Sequence, residues 1–169
     1  MNDEMRFPAP WSLSVKIITG VTLGLLSAAT FLAWRLLPAN TPPFARLLAM
    51  AAPPAILLFT LPFAVRGYVL RNDELRIERL GWFHRVPLSA VLSVTADPDA
   101  VRGSIRICGS GGLFGFFGWF RNRKLGVYRA HGTDPALAVV VKLPHRNLVV
   151  TPADPNRFVL ELQARLDAP

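Results

Sequence analysis

The sequence predicts an α+β protein: an N-terminal two-helix transmembrane hairpin followed by an antiparallel β-barrel or sandwich capped by a C-terminal α-helix. Three observations support this fold. Residues 11–65 contain only three charged side chains, Lys16, Arg35 and Arg46. Residues 66–169 instead carry 15 Lys and Arg against 9 Asp and Glu, and short apolar runs alternate there with turn residues. The chain then closes with the apolar spacing of an amphipathic helix.

The apolar part of the chain predicts two membrane spans, at about residues 15–37 and 45–65. Uncharged stretches of 18 and 19 residues lie within them, close to the ~20 residues that a helix needs to cross the hydrocarbon core. The short proline-rich segment between them is typical of a hairpin. Three prolines weaken the second span and leave a re-entrant segment as an alternative; they are Pro53, Pro54 and Pro62.

The charges beside the spans predict the orientation. Five arginines follow the second span between residues 66 and 85, whereas the connecting turn and its edges hold only Arg35 and Arg46. Because positive residues concentrate on the cytoplasmic side, we expect a multi-pass protein of the bacterial inner (plasma) membrane with both termini in the cytoplasm. Residues 1–14 then form a short cytoplasmic N-terminus, and residues 66–169 a cytoplasmic domain.

The domain begins with a predicted β-hairpin at residues 67–80, which turns at Asn72-Asp73. A C-terminal helix is predicted after Asp154, a good N-cap, with Pro155 at the first helical position. Between the hairpin and this helix, further strands are expected around residues 88–94, 104–108, 126–131, 138–143 and 147–151.

The order of motifs in this domain resembles that of the bacterial pleckstrin-homology (PH)-like domains. After the hairpin come RVPLSAVLSV, GLFGFFGWF, LGVY and VVTPADPNRFVLEL. The resemblance covers roughly residues 66–166 and is most specific at Gly112–Gly115 with Gly118 and Phe120, and from Thr151 to Phe158. It implies a bent antiparallel barrel capped by a C-terminal helix, often behind two transmembrane helices. It also implies a binding or assembly module more than an enzymatic activity.

The segment CGSGGLFGFFGWFRNRKLG, residues 108–126, interleaves glycines with aromatic residues and ends in three basic residues. One interpretation is a glycine-rich strand and turn whose aromatics alternate between the core and a domain interface, since aromatic stripes are usually core. The other is a surface for lipid or a protein partner, because residues 101–132 hold six basic residues and no acidic one. The candidate surface residues are Phe116, Phe117, Trp119, Phe120, Arg121, Arg123, Lys124 and Arg129.

The chain contains no pattern that predicts catalysis, a cofactor or a metal site. A dinucleotide fingerprint starting at Gly109 would need glycine where Phe114 stands, and a P-loop would need Gly-Lys-Ser/Thr. Cys108 is the single cysteine, which excludes an intramolecular disulfide and a multi-cysteine zinc site. The three histidines, His84, His131 and His145, are scattered and are expected at the surface or in turns.

These observations predict a non-enzymatic, membrane-tethered interaction or scaffold module. Its expected partners are the bilayer and either another protein or a second copy of the chain. The alternative is a sensor of anionic-lipid headgroups that uses the 113–129 surface. Eukaryotic PH domains that bind phosphoinositides have a basic first hairpin, and the resemblance would imply the same here; the hairpin Arg71 to Glu74 instead carries two acids, a departure that argues against specific inositol-phosphate recognition. Nucleic acid is not expected as a partner, because two spans place the domain at a membrane.

Overall fold

Two long apolar helices precede a β-domain in the computed structural model, which describes residues 4–167. Helix α1 covers Leu13–Leu36, and helix α2 covers Pro43–Thr60 and continues as a 3-10 turn to Phe63. Residues 1–3 and 168–169, which belong to the predicted segments 1–14 and 66–169, lie outside the described residues.

Both helices are long and apolar enough to cross a membrane. They pack against each other as a hairpin. In the most apolar 18-residue stretch of each helix, only 6% of the residues of α1 and none of those of α2 are buried within the protein. Ser12 caps α1, because its hydroxyl accepts a hydrogen bond from the Val15 amide at 3.3 Å. Helix α2 runs without interruption through Pro53 and Pro54.

Within residues 4–167, ten strands form two separate sheets. The four-stranded sheet has the order β1-β2-β3-β4, and the six-stranded sheet has the order β5-β9-β10-β8-β7-β6. In chain order the strands are β1 (Met5–Pro8), β2 (Val65–Leu70), β3 (Glu74–Arg79), β4 (Phe83–Pro87), β5 (Ser93–Ala96), β6 (Ile105–Gly112), β7 (Gly115–Asn122), β8 (Gly126–Gly132), β9 (Val139–Leu143) and β10 (Arg146–Val150).

The predicted α+β fold class is confirmed, with two differences in the strands. The sheets do not close into a barrel, and β8 pairs with β10 in parallel, whereas every other pair is antiparallel. The N-terminal segment also contains a strand that the sequence did not indicate. Strand β1 pairs with β2, with Phe7 opposite Tyr68, and the chain passes close to Gly67, where a Cβ atom would lie 2.9 Å from the Phe7 carbonyl oxygen.

The main core lies between the two sheets and is closed by helix α3, Pro155–Leu166. Asp154 caps this helix as predicted, accepting a hydrogen bond from the Arg157 amide at 3.0 Å. The apolar face of α3 buries Phe158 completely against Phe7, with ring centroids 5.1 Å apart. A smaller cluster, which includes Phe120, packs on the opposite face of the six-stranded sheet. Strands β6 and β7 extend from this core toward the helices.

Candidate functional site

The glycine-rich segment forms the β6–β7 hairpin, and two glycines allow its strands to lie unusually close. Gly109 and Gly118 are opposite each other and have φ angles of 118° and 120°, a region that favours glycine. A Cβ atom on Gly118 would lie 2.2 Å from the Cys108 carbonyl oxygen, and one on Gly109 would lie 2.1 Å from the Phe117 carbonyl oxygen. The spacing of the glycines is therefore a requirement of strand pairing, not of phosphate binding.

The turn of this hairpin contacts the first turns of α1. The Phe114 amide donates a hydrogen bond to the Thr19 hydroxyl at 3.0 Å, and this hydroxyl donates to the Gly112 carbonyl oxygen at 3.4 Å. Thr19 is buried by the contact, and Val15 is the only other buried residue of α1. The Phe114 ring, also buried, lies 6.2 Å from that of Trp11. The GLFG motif is thus the place where the domain contacts the first helix.

The end of α2 contacts the same hairpin further along β7. The rings of Phe63 and Phe117 stack at 5.7 Å with an interplanar angle of 14°. The Trp82 indole donates to the Pro62 carbonyl oxygen at 2.8 Å. Arg79 donates to the Phe63 carbonyl oxygen at 3.2 Å. These contacts join α2, the β3–β4 turn and the glycine-rich hairpin.

Arg79 is the least usual residue of this junction, because it is a cation that is only 6% exposed. Its guanidinium lies over three aromatic rings, at 4.5 Å from Trp82 and 5.7 Å from both Phe63 and Phe117. No carboxylate within residues 4–167 forms an ion pair with it. Burial lowers the pKa of Arg79 to about 10, and the nearby positive charge of Arg129 acts in the same direction.

His131 lies beside Arg79 and is fully buried. Arginine can only donate hydrogen bonds, so the contact between the Arg79 Nη2 atom and the His131 Nδ1 atom makes Nδ1 the acceptor and puts the proton on Nε2. That Nε2 atom and the Arg79 Nε atom are buried without an acceptor in the described part of the chain. Burial, followed by the charges of Arg79 and Arg129, holds the pKa of His131 well below its ordinary value.

These residues form the floor of a groove of about 360 Å³ between α2 and the six-stranded sheet. Phe59, Thr60 and Phe63 of α2 line one wall. Strands β6 to β8 supply the other wall, where the Arg129 guanidinium lies 6.0 Å from the Trp119 ring centroid. We call this space the junction groove. Aromatic walls and a positive floor make it suitable for an anionic amphiphile.

The structure brings together three of the eight residues that the sequence suggested as a surface. Phe117, Trp119 and Arg129 all line the junction groove. Phe116 and Phe120 lie on the opposite face of the sheet, where they pack with the smaller core cluster. Phe117 and Phe120 are both buried; Phe120 packs in the smaller core cluster, whereas Phe117 stacks on Phe63 in the groove lining.

The other three residues, Arg121, Arg123 and Lys124, lie at the far end of β7 in its turn to β8. This turn is about six extended residues from Gly115, which corresponds to about 20 Å at the usual rise per residue. All three are exposed, and Lys124 forms an ion pair with Asp97. The aromatic and basic parts of the 113–129 segment therefore do not form one continuous surface.

Sequence reasoning missed the residues at the centre of the groove. Arg79 counted only as a flanking positive charge, and His131 was expected at the surface or in a turn. That expectation is wrong for His131, because the sheet and Arg79 bury it, whereas His145 does lie exposed in a turn. His84, half-buried, lies 5.5 Å from His131 between ring centroids. Arg79 is one of five arginines that follow the second span, and nothing in its local sequence sets it apart from the others.

Two long apolar helices joined to this helix-capped β-domain define a membrane-associated PH-like module. The chain belongs to the bacterial PH domain family, whose model, described as "Bacterial PH domain", matches residues 66–166. Neither a curated protein nor a solved structure gave a significant match. The family match confirms the resemblance found in the sequence and covers every strand after β1 except the first residue of β2.

Proposed function

We propose that this protein is a non-enzymatic scaffold module of the bacterial inner membrane, with two spans and both termini in the cytoplasm. The observation that carries this proposal is the attachment of the domain to its own helices. Thr19 of α1 binds the β6–β7 turn, and Phe63 at the end of α2 stacks on Phe117. Because the domain contacts both helices, it keeps a fixed position at the membrane surface. A scaffold needs such a fixed position to present a binding surface to its partner.

Strand β6 is the interaction surface that this arrangement presents. It pairs only with β7, so its outer edge is free within the described residues. Ile105 is 74% exposed and Ile107 is 58% exposed. An open edge strand with exposed apolar side chains is a ready template for strand pairing with another chain. We propose a second copy of this protein as the partner, because an edge strand can pair with itself about a two-fold axis.

The oligomeric state of the full chain in detergent, measured by native mass spectrometry, tests the proposal. We expect a dimer for the wild type and a monomer for Ile105→Glu, since the variant places a charge on the paired edge. Leu160→Glu is the matched control, because Leu160 is 67% exposed on α3, and it should remain dimeric. A wild-type monomer, or a dimer that persists in Ile105→Glu, would contradict the proposed role of β6.

A second candidate function is the sensing of anionic lipid by the exposed turn between β7 and β8. It is favoured by Arg121 and Arg123, which have no carboxylate partner in the described range. Replacing Arg121, Arg123 and Lys124 by glutamate should then abolish the protection of this turn from hydrogen exchange in anionic nanodiscs. Equal exchange in anionic and zwitterionic nanodiscs would exclude this function.

A further inference from the structure

We infer that the junction groove binds the phosphate of one anionic phospholipid, whose acyl chains lie along the outer surface of α2. The inference rests on the proposed insertion of α1 and α2 in a membrane. It does not depend on a protein partner at β6, and it concerns a different set of residues from the exposed Arg121–Lys124 turn.

The groove contains positive charge without a counter-charge in the described residues. Burying a cation without a counter-charge is costly, and proteins normally pair it. Arg79 is buried, and Arg129 is partly buried; within residues 4–167 neither forms an ion pair. Arg146 adds to the same positive environment, since its charge lowers the pKa of both Arg129 and His84. An anion in the groove would supply the missing counter-charge.

The groove also contains an excess of hydrogen-bond donors. The Nε atom of Arg79 and the protonated Nε2 atom of His131 are buried donors without acceptors in the described chain. Buried donors of this kind are rare, and each one calls for an explanation. A phosphate group offers several acceptor oxygens, and arginine recognises it particularly well. The floor of the groove is therefore complementary to phosphate in both charge and hydrogen bonding.

The position of the groove at the end of α2 also favours a phospholipid. One wall of the groove is the last turn and a half of α2, with Phe59, Thr60 and Phe63. Above this wall α2 is an apolar helix without a buried residue. A phosphate in the groove thus lies at the end of a candidate membrane helix, where headgroups lie. Phe117 and Trp119 provide the apolar surroundings for the glycerol region.

The lining also discriminates between classes of phospholipid. It contains no aspartate or glutamate, so the ammonium group of a choline or ethanolamine headgroup would find no acidic partner. It would instead approach Arg79 and Arg129, and like charges at close range repel. We therefore expect phosphatidylglycerol to bind in preference to phosphatidylcholine.

The test uses the purified full chain in detergent, titrated with phosphatidylglycerol or phosphatidylcholine and followed by native mass spectrometry. We expect one tightly retained phosphatidylglycerol and weaker binding of phosphatidylcholine. Arg129→Gln should weaken phosphatidylglycerol binding about tenfold, because it removes one charge-assisted contact. Arg157→Gln, which makes the same charge change on the exposed face of α3, should leave the affinity unchanged.

Equal affinity for both lipids, or wild-type affinity in Arg129→Gln, would overturn the inference. Inorganic phosphate at the same concentration should not compete; if it does, the site binds free phosphate and not a lipid. Arg79→Gln should lose binding as well, but Arg129 is the decisive position because it is less buried and its replacement is less disruptive to folding. The Ile105→Glu variant should keep its lipid while losing the dimer, so failure of either proposal can be recognised separately.

Discussion

Replacing Gly118 by alanine is expected to disrupt the β6–β7 hairpin. The new Cβ atom would lie 2.2 Å from the Cys108 carbonyl oxygen and 2.8 Å from the Gly109 Cα atom, and both obstacles are backbone atoms that cannot rotate away. The φ angle of 120° at Gly118 is also unfavourable for an L-residue. Backbone strain of this kind costs about 1–3 kcal/mol, and forced overpacking adds about 1–3 kcal/mol.

The expected loss is therefore about 4 kcal/mol in the free energy of unfolding, which corresponds to a fall in Tm of about 12 °C for a chain of this size. Thermal unfolding of the full chain in detergent, followed by intrinsic tryptophan fluorescence, measures it. Gly103→Ala is the matched control: its φ is also positive, at 67°, but nothing lies within 4 Å of the new Cβ. It should lose only about 1 kcal/mol. Equal losses in the two variants would refute the close pairing of Gly109 and Gly118.

Two further predictions concern the contacts around this hairpin. Thr19→Val keeps the shape of the side chain but leaves the Phe114 amide and the Gly112 carbonyl without their partner. We therefore expect the free energy of unfolding, measured by thermal unfolding, to fall by about 1–3 kcal/mol. Thr30→Val is the control and should lose less, because the Thr30 hydroxyl bonds only within α1. Because the pKa of His131 is lowered in the fold, the unfolded chain binds more protons below pH ~6.5, and stability should fall as the pH decreases from there. His131→Asn should reduce the difference in Tm between pH 7.5 and 5.5, and an unchanged difference would show that His131 is not the group responsible.

Local signals in the sequence were sufficient for much of the fold. The Asn72-Asp73 turn and the alternation around it predicted the β2–β3 hairpin, and Asp154 with Pro155 predicted the start of α3. Strand β1 was missed because four residues carry little periodicity, and Met5–Pro8 becomes a strand only because β2 offers it an edge. The parallel β8–β10 pair depends on contacts distant in sequence, which no local pattern encodes.

The candidate site could be predicted only in part. The sequence drew attention to residues 108–126, but consecutive aromatics such as Phe116 and Phe117 do not reveal which ring faces which side of the sheet. Arg79 and His131 are 52 positions apart, and each is unremarkable alone. Their contact, and the burial that makes it costly, exist only once the two sheets and the end of α2 are assembled.

The central claim is that the glycine-rich hairpin attaches the domain to its own apolar helices, and disulfide cross-linking tests it most directly. In a Cys108→Ser background, Thr19→Cys and Phe114→Cys should form an intramolecular disulfide in membrane vesicles under mild oxidation, because the Phe114 amide lies 3.0 Å from the Thr19 hydroxyl. Thr30→Cys, three turns further along α1, should not cross-link with Phe114→Cys. Absence of the first disulfide, or equal formation of both, would contradict the attachment of the domain to α1.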